Sequence, residues 1–541
     1  MEKYDFIIVG AGSAGCVLAH RLSSDPSIRV VLLEAGNKDR HPLLKIPGGY
    51  SRLFRTQADW GFYSEPQEHL YDRQLYLPRG KVLGGCSTTN AMAYVRGNAE
   101  DYDLWEKSGC RGWSFKDVLP YFIKSEHNEY AAELDDSFHG VTGPLHVTLA
   151  KSFETPFLRA FLSACENQGI PRNTDYNGHT QKGAGKFQFT IKNNQRHGGA
   201  DAFIHPVSYR NNLHILTNAR VHKIEIQNDT ATSVWVSFNG KSPEQIECTK
   251  EILLSAGSFH SPQLLMLSGI GDPNELARHN IPTKISLSGV GRNLQDHLFF
   301  PVSVSSKVQG GLNHHLKPLG QIKAVVQYLF KRKGPLTIGP LEGVAFFDSL
   351  NDGQVDCQFH FSPFHIGKSY DYDLYDLSSY SHFDGYTILP SLLSPKSRGH
   401  ILLRSANPLD PPSIQPRFLS EDEDLQTLIR GGKKAMEVME DPAFDPYRKE
   451  WMLPNHRLQE EEWADHIKKT VETIYHPSGT CKMGTDADAV TDPQLKVHGV
   501  NGLRVVDCSI MPTIVRGNTN APVYMIAEKA ADMILAEYGG M

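Results

Sequence analysis

Cysteine is scarce in this chain of 541 residues: there are 8, and no two stand as a Cys-x-x-Cys pair. Disulfide scaffolds and structural zinc sites need denser, clustered cysteine, so neither organises this protein and the thiols read as reduced. No run of about 18 apolar residues occurs, which excludes a bilayer-spanning helix. The opening Met1-Glu2-Lys3, followed by Tyr4-Asp5-Phe6-Ile7-Ile8-Val9, lacks the apolar core of roughly 7–15 residues that a secretory signal carries. The expectation is a cytoplasmic protein. Positive charge is not in excess either. The formal net charge is −6 and the isoelectric point 6.5, so no global field draws nucleic acid to the surface. With 40% hydrophobic and 21% charged residues and a mean hydropathy of −0.37, the chain is neither disordered nor fibrous. At about 150 residues per domain, its length implies roughly two to four lobes.

What is present begins at once. Phe6-Ile7-Ile8-Val9 reads as a short buried strand, Gly10 to Gly15 turns, and Val17, Leu18 and Leu22 recur at helical spacing. Asp25-Pro26 stops that helix, and residues 28–33 form a second apolar strand ending at Glu34. Similar strands stand far downstream at 251–257 and 502–507. One α/β domain assembled from distant pieces of chain is the reading. The stretch from about 300 to 470 differs, being rich in aromatics, proline, histidine and serine, with strand-like pieces at 355–361 and 400–403. Ser420 as N-cap with Glu423 completing a capping box predicts a helix through Leu425, Leu428 and Ile429. Lys331-Arg332-Lys333 closes the partly apolar run 324–330. It reads as the solvated start of a loop before Gly334-Pro335, with a membrane-surface helix as the alternative.

Gly10-x-Gly12-x-x-Gly15 follows a strand, opens a helix, and is answered by Glu34 nineteen residues after Gly15. In that context it is a dinucleotide fingerprint. The first glycine permits the tight turn, the second admits pyrophosphate to the backbone, and the third allows helix–strand packing. Pyrophosphate sits on the helix N-terminus, and Glu34 accepts hydrogen bonds from an adenosine ribose. The fingerprint alone leaves FAD and NAD both open. A run of small residues from Pro78 to Ala91 is a surface on which backbone could meet a flat ring.

Segments 79–98, 256–271, 290–297, 476–484, 502–512 and 517–522 together resemble the signatures of the glucose–methanol–choline (GMC) oxidoreductases, in the family's order. The most similar subgroup is that of choline-dehydrogenase-like and aliphatic alcohol dehydrogenases. The resemblance implies an α/β protein with an α+β insert: a Rossmann-type FAD domain over 1–298, a substrate domain with an antiparallel sheet over 299–470, aided by residues around 150–200, and a return over 471–541. It implies oxidation of a primary alcohol to the aldehyde by proton abstraction and hydride transfer to flavin N5, with His476 as base and Asn518 as its partner. The FAD contacts it implies are Gly10, Gly12, Ser13, Ala14, Gly15, Glu34, Val82, Asn90, Val221 and Asp507. Covalently flavinylated members carry histidine where Thr89 stands, so FAD is expected to be bound without a covalent link. Glu342 occupies a position where choline-oxidising relatives carry a carboxylate that meets the substrate cation; a structural hydrogen-bond acceptor is the plainer reading.

The residue types suit the chemistry. An alcohol donates hydride poorly until its proton is leaving, so a base must lie within hydrogen-bond reach. Histidine, with an unperturbed pKa of about 6.5, titrates near working pH, and an asparagine amide can hold the hydroxyl and steady developing alkoxide charge. Among 24 histidines, His260, His297 and His498 read as packing or hydrogen-bonding residues, and His498 is the reserve candidate for the base. The pair His314-His315 lacks further ligands at a useful spacing, and no metal is expected. The expected partners are a small alcohol and a quinone-like or dye electron acceptor, with weak peripheral membrane association open. An oxidase using oxygen and a flavin-containing lyase are the alternatives.

Overall fold

The computed structural model describes residues 3–149, 152–367 and 373–538. Its first sheet has five parallel strands, formed by Leu213–Thr217, Val30–Glu34, Lys3–Val9, the carboxyl half of Glu244–Leu254, and Leu503–Val505. The antiparallel strands Thr230–Phe238 and Ala219–Gln227 extend it along the amino half of Glu244–Leu254. Strands such as Phe6-Ile7-Ile8-Val9 are apolar throughout because both faces of a parallel sheet are covered. Full burial of each such Ile or Leu is worth about 1.5–3 kcal/mol. The distant strands seen in the sequence do assemble into one α/β unit, as expected.

Helix Ser13–Leu22 covers one face, and helix Asn520–Tyr538 packs against it. Ser13 Oγ donates to Asn520 Oδ1 at 2.6 Å, so the amino ends of the first and last helices meet. Buried Glu528 and half-exposed Asp532 hold the Arg21 guanidinium between the same two helices.

The second sheet is antiparallel, ordered Arg448–Leu453, Val302–Ser306, Gly385–Leu392, Cys357–Ser362, Gly343–Phe347, Gly183–Lys186. Leu298–Phe299 joins it and pairs with Glu472–Thr473. A second core lies between this sheet and the helices Pro156–Asn167 and Asp422–Glu440. The expected capping box does not form. The helix starts at Asp422 with Glu421 as N-cap, one residue after Ser420, so Ser420 and Glu423 are out of register for the box; Asp424, now at the third helical position, instead accepts from the amides of Lys396 and Ser397. Among the described residues, no helix is long and apolar enough to cross a membrane.

Candidate active site

One large cavity begins at the carboxyl ends of the parallel strands and runs to the antiparallel sheet. Val9, Glu34, Ser255 and Asp507 stand where those strands end, the place at which α/β sheets bind their ligands. Gly10 turns with φ of 100°, and a Cβ there would lie 2.5 Å from the Ser255 carbonyl oxygen. A Cβ on Gly15 would lie 1.9 Å from the Gly10 carbonyl oxygen, so helix and strand could not approach with any larger residue. Glu34 accepts from the amides of Ala11 at 3.0 Å and Gly36 at 2.7 Å, tying the glycine turn to the next loop. Burial pushes its carboxyl up to about 7, against the pull of those two amides and of Arg220 and Lys81.

At the other end the chain is bent to deliver His476. Asp296 accepts from the His476 amide at 2.7 Å and from the Thr473 hydroxyl, and Tyr475 between them takes φ of 67°. For a tyrosine that conformation costs about 1–3 kcal/mol, offset here by the bonds on either side. The tautomers follow from the partners. Nε2 of His297 donates to the Leu393 carbonyl at 3.1 Å. Burial lowers His297 to about 3, so its ring is neutral and Nδ1 carries the lone pair. His476 Nδ1, 3.0 Å away, must therefore be the donor. His476 is held neutral well below the usual imidazole range, by burial first and then by His297, His360 and Arg79. Its Nε2 thus carries the lone pair, which accepts from Asn518 Nδ2 at 3.3 Å.

His360 stands on the same cavity wall. Its Nδ1 lies 3.1 Å from Ser391 Oγ, whose hydroxyl donates to the Leu389 carbonyl at 3.1 Å. Nε2 of His360 and Oδ1 of Asn518 are buried without a hydrogen-bond partner in the protein. A buried imidazole nitrogen and an unmet amide oxygen beside the His476 lone pair suit a ligand that brings an O–H.

The structure brings Gly10, Gly12, Ser13, Ala14, Glu34, Asn90, Val221, Asp507, His476 and Asn518 onto this one wall. Gly15 is set back in the helix, and Val82 packs with Leu44 and Leu53 behind it. Glu342 lies outside the cavity. Its oxygens accept from the Thr155 amide at 2.9 Å and the Thr155 hydroxyl at 2.6 Å, and burial pushes it up to about 7. His498 contacts the Gly484 carbonyl at 3.4 Å, away from the cavity. His297 and His360 carry no signature linking them to His476. The GMC-like segment 290–297 contains the first, but only the fold shows that it touches the base.

The same construction recurs in known proteins. The GMC oxidoreductase family matches residues 4–299 with its N-terminal part and 395–527 with its C-terminal part. The chain belongs to the GMC oxidoreductase family. It is 43% identical to an alcohol dehydrogenase (acceptor) of Pseudomonas putida, over 98% of this chain and 96% of that one. It is 39% identical to the human mitochondrial choline dehydrogenase, over 98% of this chain and 90% of that one. Among solved structures, the pyridoxine 4-oxidase of Mesorbium loti superposes with a TM-score of 0.88 at 29% identity, covering 98% of each chain. A formate oxidase variant of Aspergillus oryzae superposes at 0.92 and 28%, covering 99% of each.

This GMC oxidoreductase is therefore an FAD-binding enzyme acting on alcohols. The residues present fit that cofactor. The glycine turn and the first turn of helix Ser13–Leu22 would offer amides to its pyrophosphate, and Glu34 would accept from its ribose. The unpartnered Ser255 Oγ, on the same wall, has no acceptor or donor unless a ligand supplies one. Thr89 lines the wall where a covalent link would need histidine. Threonine cannot form that bond, so acid or heat precipitation should release the flavin into the supernatant. Yellow colour remaining in the washed pellet would show a bond to another side chain.

Proposed function

We propose that this chain oxidises uncharged, apolar primary alcohols to aldehydes and passes the electrons to an acceptor other than oxygen. One observation carries the substrate class. Among the described residues, the cavity wall holds three carboxylates, Glu34, Asp59 and Asp507, and backbone amides engage each of them. The antiparallel sheet and its flanking loops contribute Phe299, Pro340, Leu341, Phe364, Ile366 and Leu389. The hydroxyls of Ser362 and Thr387 are spent on the carbonyls of Pro340 and Phe364, at 2.5 and 2.7 Å. A quaternary ammonium would meet no free carboxylate here, and an unpaired buried charge costs several kcal/mol.

The chain's own groups then do the following. Nε2 of His476 takes the hydroxyl proton, and the relay through His297 to the Leu393 carbonyl holds that nitrogen unprotonated and aimed. Asn518 Nδ2 donates to the oxygen as charge grows on it, and its Oδ1 or His360 Nε2 holds the hydroxyl beforehand. Bound FAD supplies the two-electron acceptor for the carbon-bound hydride. The 43% identical relative bears the name alcohol dehydrogenase (acceptor), which supports the non-oxygen acceptor. The names of the solved oxidases favour the other reading.

The test is anaerobic flavin bleaching against a panel of alcohols. Medium-chain or aromatic primary alcohols should bleach the flavin with a second-order rate constant at least about a hundredfold above that for choline. Choline matching them would overturn the substrate assignment. Rapid reoxidation of the reduced enzyme in air would overturn the acceptor assignment and leave an oxidase.

A further inference from the structure

Residues 307–341 contain six basic side chains and no Asp or Glu, in a chain that carries 61 acidic residues against 55 basic ones. Their centre is the helix Pro318–Lys331, which the sequence reads as running into a solvated loop. Only Ala324 and Tyr328 on it are buried, and Tyr328 Oη donates to the Asn194 carbonyl at 3.0 Å. On the opposite side Leu319, Ile322, Val325, Val326, Leu329 and Phe330 all face solvent, with Leu319 and Phe330 each 82% exposed. At 100° per residue these six form one continuous apolar stripe rather than scattered single residues. Lys317 precedes the helix, Lys323 stands on the edge of the stripe, and Lys331, Arg332 and Lys333 end it. All five basic residues are exposed, and none has a carboxylate partner within ion-pair distance among the described residues.

We propose that this helix seats the enzyme on an anionic lipid bilayer, its apolar stripe lying among the acyl chains and its basic ends among the headgroups. The occupant follows from charge complementarity. An apolar stripe framed by cations that have no carboxylate partner among the described residues matches an interface that is apolar below and negative above. A second copy of this chain, with net charge −6 but the same basic stripe, would set like charges together. The placement also serves the cavity. Arg52 donates to Gln321 on the helix at 2.8 Å, and the backbone of Gly48 abuts Leu336 just beyond it. The same segment continues into Tyr50, Leu53 and Phe54, which wall the cavity. The helix therefore packs against a segment that also walls the cavity. The lipid contact itself does not depend on the alcohol assignment.

Full-length holoenzyme should co-sediment with vesicles of equimolar phosphatidylcholine and phosphatidylglycerol, and at least about tenfold less with phosphatidylcholine alone. Replacing Lys331, Arg332 and Lys333 by Ala should weaken binding about a hundredfold, at roughly fivefold per charge. The triple variant Leu319→Ser, Leu329→Ser, Phe330→Ser should abolish sedimentation while leaving flavin content and alcohol-driven bleaching in solution unchanged. Absence of vesicle binding by the wild type, or full binding by the triple variant, would overturn the proposal. So would a dimer in analytical ultracentrifugation that the triple variant dissolves, since the stripe would then serve a second copy.

Discussion

His476→Ala is expected to keep the fold and the flavin yet slow anaerobic flavin reduction by alcohol about a hundred- to ten-thousandfold, the range for removal of a general base. Stopped-flow bleaching of enzyme reconstituted to full flavin content measures it. Asn518→Ala should slow the same step less, because a donor is lost and the proton acceptor stays. The pH profile separates base from scaffold. On its ordinary pKa of about 6.5, His476 would give a limb rising through neutrality. Burial and the neighbouring rings hold it well below that value, so it is already neutral at pH 7. The wild-type rate should therefore stay level from about pH 6.5 upward and fall only in acid, as the imidazole finally takes a proton. The Ala variant should lose that acid limb. An unchanged rate and profile would pass the role of base to His360, which lines the same cavity. His297→Phe offers an independent check, since it frees His476 to place its proton on either nitrogen and should lower the rate without moving FAD affinity.

Glu34→Ala should weaken FAD retention about ten- to a hundredfold, as expected when buried amides and a ribose lose their acceptor. Equilibrium dialysis, or fluorescence of released flavin on dilution, reads the loss directly. In enzyme kept saturated with FAD the bleaching rate should scarcely change, because Glu34 sits at the strand ends with the glycine turn and not beside His476. The effect has two sources. One is the ribose; the other is the pair of amides, Ala11 and Gly36, left without their acceptor. Glu34→Gln distinguishes them, since its single amide oxygen satisfies one loop and leaves the other unmet. A saturated Glu34→Ala enzyme with a collapsed bleaching rate would place this carboxylate at the chemistry instead.

Much of this is legible in the sequence itself, where a residue's task is written locally. The glycine turn needs small residues at fixed spacing because backbone packs against backbone, and that leaves a trace in sequence. The strands at 251–257 and 502–507 could be read as partners of 6–9 because fully buried parallel strands are apolar without alternation. Other features depend on groups brought together from far apart. His297 bonds His476 across 179 positions. His360 lies on a strand whose six residues are all buried, so nothing in the local pattern marks it as cavity-lining. Ser420 and Glu423 satisfied the helix-start rule, yet Asp424 found better partners in Lys396 and Ser397. The basic run 331–333 does close a helix and lead into an exposed turn, as its composition implies, but the outward apolar face of 319–330 depends on which side of the helix the fold covers.

The contact between Ser13 and Asn520 spans 507 positions. On the ribosome the glycine turn emerges first, while Leu503–Val505 and the helix that closes over it emerge last. At roughly 5–20 residues per second, about 25–100 s separate the two events. Until then the carboxyl half of Glu244–Leu254 has an open edge, and the nucleotide cradle lacks one side. Cofactor loading is thus a late act in the life of each molecule, completed only by a full-length chain. Flavin colour in an expressing cell reports finished protein, and nascent fragments carrying an intact glycine turn would stay colourless.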